Sequence, residues 1–375
     1  MSAARSPIVV LAPDSFKGSL DAPAVCAAIA RGLARVWPRA EVRACPMADG
    51  GEGTLDAILS QGGTRRTRVV AGAGGAPHTA AYGLLEAPEG RTAVIEVAQV
   101  VGITDADGTA AAVGDRSTRG VGELVRALLG EGVRRFMIGV GGSSTNDGGA
   151  GMLGALGLAR LARVDAGGLD PLLAECAITI MSDVNNPLCG ERGATAIFGP
   201  QKGVKADEIT AFDTTLGRWA ALAEEATGRR AAGSPGAGAA GGLGFALHLL
   251  GGEFRSGAEV VATLIGLDPA LAGADWAITG EGRTDPQTLL RKAPYVVAEH
   301  ARAAGVPITL LSGAVDPAAL PQLGRLFAGC FALPAGPATL AECIAGTDAL
   351  LADRAEQIAR LWEAVNRHRG GGYFP

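Results

Sequence analysis

The side chains best suited to chemistry in this sequence are its rarest cations and the acidic loops around them. Of 33 cationic residues 29 are arginine, and lysine stands only at Lys17, Lys202, Lys205 and Lys292. Lysine is a compact point charge that meets a phosphate without the planar fork of arginine. Three of the four fall in or beside polar, glycine-bearing loops, which makes them candidates for holding an anion. Asparagine is scarce as well, and Asn146, Asn185 and Asn186 lie in such loops.

Five loops carry these residues. Pro13–Ser19 holds Asp14, Ser15, Lys17 and Ser19: a carboxylate to accept a proton, two hydroxyls to orient a ligand, and a cation. The same residues would also make an Asx-turn and an N-cap, but neither needs Lys17. Asp49-Gly-Gly-Glu52-Gly sets two carboxylates among glycines, a pattern that suits Mg²⁺ held by one or two carboxylates plus phosphate oxygens, or simply a helix start. Residues 139–151 read GVGGSSTNDGGAG. There Gly141 and Gly142 let backbone N–H groups converge on an anion, while Ser143, Ser144 and Thr145 add donors and Asn146 a further polar group. Asp183 and Asn185, followed by Lys202 beside Gly203, offer acceptors, donors and a phosphate cation. Finally Glu281, Arg283 and Asp285 precede Lys292. Arg283 can grip a carboxylate such as a small hydroxy-acid presents, and a neighbouring carboxylate can serve as base or metal ligand.

The elements that must position these loops alternate. Ile8–Ala12 is a short apolar run of the kind found in central parallel strands. Asp21 is placed to cap a helix from Pro23 to Trp37, which Pro38 stops. A strand over Glu41–Met47 and a helix from Thr54 complete a βαβα opening. Residues 64–103 change to short strands over Thr67–Val70, Ala80–Leu85 and Ala93–Ala98, with glycine and proline breaks, which predicts an antiparallel or mixed sheet. Helix–strand alternation resumes with a helix over Gly120–Leu129 and strands over Phe136–Val140 and Ala177–Met181. A helix over Lys205–Thr227 and a Gly/Ala-rich loop over Gly233–Gly244 follow. The tail has strands at Trp276–Thr279 and Ile308–Leu311, and a closing helix over Leu350–Arg367. The fold expected is α/β with two domains: a discontinuous Rossmann-like parallel-sheet domain from residues 1–75 and 285–375, and a second α/β domain inserted over 76–284.

Composition excludes several classes. With 48% hydrophobic residues the chain can bury cores, and a net charge of -5 does not supply the basic face that nucleic acid requires. No apolar stretch approaches a transmembrane span, and the N-terminus lacks a secretory pattern. Six dispersed cysteines without a C-x-x-C pair read as reduced thiols of a cytoplasmic protein. Four histidines, isolated in sequence, give no zinc or His-based triad pattern. No Gly-Lys-Ser/Thr triplet exists, and strand one leads into Asp-Ser-Phe-Lys rather than G-x-G-x-x-G, so neither a Walker A loop nor a dinucleotide fingerprint is present.

The motifs PDSFKGSL (13–20), PMADGGEGT (46–54), GGSSTNDGGAGML (141–153), DVNNPLCG (183–190), FGPQKG (198–203), GAAGGLG (238–244) and ITGEGRTDPQT (278–288) together resemble the bacterial glycerate kinase family. The resemblance runs in order from about residue 7 to 368. It implies two α/β domains with the site in the cleft between them, and phosphorylation of D-glycerate by ATP with Mg²⁺, usually at the 2-hydroxyl. On that reading Arg283 and Lys17 face the glycerate carboxylate and the transferring phosphoryl group, with Ser15, Ser19 and Asn185 beside the substrate. Asp14, Asp183 and Asp285 are the candidates for base or metal ligand. Gly141, Gly142, Ser143, Ser144, Asn146, Lys202 and Lys292 would hold ATP phosphates, and Asp49, Glu52 and Glu281 would hold Mg²⁺. The alternatives are 3-phosphorylation and a non-catalytic two-lobed hydroxy-acid sensor. One departure stands out: Arg291 precedes Lys292 where the family usually has a Gly-Lys pair, and a crowded phosphate pocket would raise KM for ATP.

Overall fold

The computed structural model describes residues 6–369 except Glu89 and 161–163. The chain is α/β and divides into two compact units. One comprises residues 1–49, 56–61 and 258–375, the other 50–55 and 62–257. The division therefore falls earlier than boundaries at 75 and 285. Strand pairing is the reason: Thr64–Ala71 pairs antiparallel with Pro77–Leu85 in the second unit, and Trp276–Thr279 pairs with Ile8–Leu11 in the first.

The first unit is built on five parallel strands in the order Gly329–Ala332, Ile308–Ser312, Trp276–Thr279, Ile8–Leu11, Glu41–Ala44. The two central strands are apolar along their length because helices cover both faces of the sheet. From Ile8–Leu11 the chain winds outward through helix Ala22–Ala34 to Glu41–Ala44. From Trp276–Thr279 it winds the other way, through helix Ala293–Ala303 to Ile308–Ser312. The junction of these two central strands is thus a topological switch point, and the crevice beyond its carboxyl ends is where open α/β sheets bind ligands.

Local chemistry explains the flanking elements. The Asp21 side chain accepts from Ala24 N at 2.8 Å and starts helix Ala22–Ala34. That helix packs on the terminal helix Leu340–Arg369 at Gly32, where a β-carbon would lie 2.1 Å from the Ala352 carbonyl oxygen. Trp37, Trp276 and Trp362 cluster at the same interface with ring centroids 5.3–6.3 Å apart, and Trp276 Nε1 donates to Thr309 Oγ1. The terminal helix begins ten residues before the expected Leu350. Thr339 starts it, exchanging hydrogen bonds with Glu342 in a capping-box pattern.

The second unit holds a six-stranded mixed sheet, ordered Glu253–Arg255, Ala177–Met181, Arg135–Gly139, Thr92–Glu96, Pro77–Leu85, Thr64–Ala71. The first four strands are mutually parallel, and Pro77–Leu85 runs antiparallel to both its neighbours, Thr92–Glu96 and Thr64–Ala71. The expected Gly/Ala loop over 233–244 is shorter than its composition suggests, because helix Ala239–Leu249 starts inside it. Ala240, Gly241 and Gly242 nonetheless have positive φ, so regular helix begins only at Leu243. At Gly241 a β-carbon would lie 2.1 Å from the Thr145 carbonyl oxygen, so this loop presses its backbone directly on residues 145–148. No described helix is long and apolar enough to cross a membrane.

Candidate active site

The loops leaving the two central strands of the first unit are bound to each other by main chain. Asp14 N donates to the Gly280 carbonyl at 2.8 Å, and Thr279 Oγ1 donates to the Ala12 carbonyl at 2.7 Å. Gly280 is also pressed against the neighbouring strand Ile308–Ser312, where a β-carbon would sit 1.7 Å from the Leu311 carbonyl oxygen. A cavity of about 670 Å³ opens over this junction, and it brings together Asp14, Ser15, Lys17, Ser19, Asp49, Glu281, Arg283, Asp285 and Lys292. Nine residues expected from three separate stretches of sequence therefore share one space.

Their environments differ. Asp14 is 7% exposed, and burial together with the nearby Asp49 charge pushes its carboxyl well above the usual range; the Ser15 amide, which donates to Oδ1 at 2.6 Å, and Lys17 oppose this. Such a carboxylate is a basic one. Burial also raises Glu281, but its Oε1 already accepts from Thr288 Oγ1 at 2.6 Å and Thr284 Oγ1 at 3.0 Å. Asp285 accepts from Gln287 N and, with Thr288, forms a capping box at the next turn, so its carboxylate is partly committed to holding the loop. Lys17 and Arg283 are exposed within the cavity and Lys292 is half-buried. Ser15 Oγ is buried without a protein partner, which marks a place for a ligand group or water.

The remaining candidates lie in the second unit. Here the structure commits several groups that the sequence suggests for ligand binding. Lys202 is 5% exposed, and its Nζ donates to the Thr145 carbonyl at 2.7 Å and Ser143 Oγ at 3.1 Å. Burial pushes this amine down to about 7. The amides of Gly141, Ser144 and Gly148 are used by the carbonyls of Gly50, Val101 and Gly241, and those of Gly149 and Gly151 by the Asp147 carboxylate. Asn146 donates from Nδ2 to Thr195 Oγ1, while Asn146 Oδ1 and Thr145 Oγ1 are buried without a partner. Gly142 is the exposed point of the loop. Asp183 and Asn185 follow strand Ala177–Met181, half-buried and exposed respectively, and Glu52 is exposed before helix Thr54–Leu59.

Arg116 went unnoticed in the sequence, one arginine among 29. Its buried guanidinium donates to four carbonyls, those of Thr109, Ala111, Ser144 and Lys202, and so braces the Gly141–Gly149 loop. Thr284 and Thr288, both within the ITGEGRTDPQT motif, hold Glu281 through a hydroxyl network whose third member, Ser312, carries no sequence signal.

Among the described residues no group of three or more His, Cys, Asp or Glu side chains could cage a metal. Mg²⁺ does not need such a cage, since it keeps most of its waters and takes one or two carboxylates with substrate phosphates. Asp14 and Asp49, close enough for mutual repulsion, and the free oxygen of Glu281 fit that requirement.

A carboxylate-and-cation cavity at the switch point of a parallel sheet suits a small-molecule phosphotransferase. The chain belongs to the glycerate kinase family, which it matches over residues 9–363. It is 40% identical over 329 residues to the glycerate kinase of Bacillus subtilis, covering 82% of this chain and 85% of that protein. It is 39% identical over 326 residues to the glycerate 2-kinase of Escherichia coli K12, with the same coverage. A crystal structure from Salmonella typhimurium LT2, assigned to glycerate kinase 2, superposes with a TM-score of 0.82 at 36% identity, covering 97% of this chain and all of that one. The protein is thus an enzyme of the glycerate kinase type.

Proposed function

We propose that the enzyme transfers the γ-phosphoryl group of ATP to the 2-hydroxyl of D-glycerate, giving 2-phosphoglycerate and ADP. The observation that carries this reading is Asp14: a buried carboxylate of raised basicity at the switch point, sharing its cavity with Lys17, Arg283 and Lys292. Phosphoryl transfer asks the protein for alignment, charge neutralisation and a proton acceptor. Asp14 accepts the hydroxyl proton as the glycerate oxygen bonds to phosphorus and the bond from γ-phosphorus to the bridging oxygen of ADP breaks. Arg283 holds the glycerate carboxylate, Ser15 and Ser19 orient the acid, and Lys17 and Lys292 neutralise the phosphoryl group.

Asp49, with the free oxygen of Glu281, would hold Mg²⁺, which when bound neutralises phosphate charge. Asp285 acts by positioning its loop. In the second unit, Lys202 and Arg116 shape the 141–146 loop from beneath. Gly142, the exposed point of that loop, is its candidate phosphate contact. Asp183, Asn185 and Glu52 are secondary candidates for ligand contact there. The 2-position is supported by the name of the Escherichia coli relative.

The test uses ATP and D-glycerate with two coupling systems. Signal with enolase alone identifies 2-phosphoglycerate, whereas signal that requires added phosphoglycerate mutase identifies the 3-isomer. Absence of ADP release defeats the kinase reading altogether.

A further inference from the structure

The first unit's cavity is several times larger than a three-carbon acid fills, and its walls differ in kind. One wall carries the charged groups just described. Another stretch of the lining is largely aliphatic, with Leu333, Pro334, Leu340 and Ile344 where the Gly329–Ala332 strand leads into the terminal helix. Leu340 is 76% and Ile344 40% exposed, although both are large aliphatic side chains. Ser19 Oγ donates to the Ile344 carbonyl at 3.0 Å, so this helix start is tied to the loop that carries Asp14 and Lys17. A fully polar acid gains nothing from such a wall.

We infer that the aliphatic wall of Leu333, Pro334, Leu340 and Ile344 receives the nucleobase and ribose of the phosphoryl donor. The ligand that matches both walls has one flat, largely apolar end and one polyanionic end, which describes a nucleoside triphosphate. Lys17 and Lys292 answer the triphosphate. The cavity volume of about 670 Å³ lies within the ~300–1,000 Å³ usual for ligands of that size. The position agrees with the rule that nucleotides sit outside the carboxyl ends of a doubly wound sheet at its switch point. This inference rests on the ATP-dependent reading above and specifies where the donor lies.

Two measurements test it. Ile344→Glu and Leu340→Glu alter exposed side chains, so folding is preserved, and each is expected to raise KM for ATP tenfold or more while leaving KM for D-glycerate within twofold. Cys343, which lines the same cavity, serves as a reporter that needs no turnover. A non-hydrolysable ATP analogue should slow alkylation of Cys343 in the wild-type protein, and inorganic triphosphate or D-glycerate alone should not, with Cys330 as the internal control. Unchanged nucleotide KM in both variants, or equal protection by triphosphate or by glycerate, overturns the placement. ADP formation by the wild-type enzyme, scored separately, shows whether the kinase reading itself stands.

Discussion

The amide of Asp14 donates to the carbonyl of Gly280 at 2.8 Å, joining residues at opposite ends of the sequence, and this bond sets the two strand-end loops side by side. The acidic and basic groups of the cavity are therefore positioned by main chain anchored in the sheet, a firmer platform than free loops provide.

Replacing Asp14 by asparagine keeps the Oδ1 acceptor for the Ser15 amide and removes the charge. We expect kcat to fall by about 10²–10⁴ with little change in KM. Stability should move the other way. Because its folded pKa is raised, Asp14 contributes stability that is complete below the unfolded carboxyl value of 3.8 and is lost as pH rises through the folded value. At pH 7.5 the variant should melt above the wild type, with the gap closing toward pH 4. A thermal-shift series across that range, alongside initial rates, decides both points. The wild-type acid limb of kcat/KM should lie above the ordinary carboxylate range.

Arg283→Lys retains charge and loses the planar fork. If Arg283 clamps the acid's carboxylate, KM for D-glycerate should rise by about tenfold to a hundredfold. KM for ATP should change much less. Unaltered glycerate kinetics would remove Arg283 from the substrate.

Arg291 adopts φ +64°, a left-handed conformation that glycine takes freely. Its guanidinium points to Glu259 at 2.7 Å and Glu299 at 3.4 Å, a network that His300 joins through Glu259 and Asp268, and Arg291 is not among the residues lining the cavity. Arg291→Gly relieves about 1–2 kcal/mol of backbone strain and gives up exposed ion pairs worth about 0–1 kcal/mol. A small rise in Tm is expected, with KM for ATP unchanged. Calorimetry and ATP titration of the variant check it, and a lower KM would show that the arginine does obstruct the donor.

Lys202→Met replaces a buried amine with an uncharged chain of similar length. The folded pKa of about 7 lies below the unfolded 10.5, so the unfolded state binds the extra proton between those values. Wild-type stability relative to the variant should accordingly climb from pH 7 toward pH 10, by up to about 1.4 kcal/mol per pH unit. Parallel melting curves for the two proteins over that interval would contradict the burial of Lys202.

Much of this arrangement was legible in the sequence because local chemistry announces it. Strands Ala177–Met181 and Trp276–Thr279 match their apolar runs residue for residue, and the loops that follow them are spelled in glycine and carboxylates. What the sequence hides is decided by tertiary contact. The scarcity of Lys202 reads as a ligand cation, yet the fold uses it as an internal donor. Arg116 is indistinguishable from other arginines until four carbonyls close around it. The domain boundary escapes because strand partners, not composition, decide which unit owns residues 64–85 and 276–279.

The pairing of Ile8–Leu11 with Trp276–Thr279 also has a meaning for synthesis. A nascent chain holds its first strand, Asp14 and Lys17 without their neighbour until residue 279 has left the ribosome. At about 5–20 residues per second that wait lasts roughly 10–50 s. Residues 62–257 emerge within this interval and can complete their own unit first. Asp14 is thus made well before the strand that completes its surroundings.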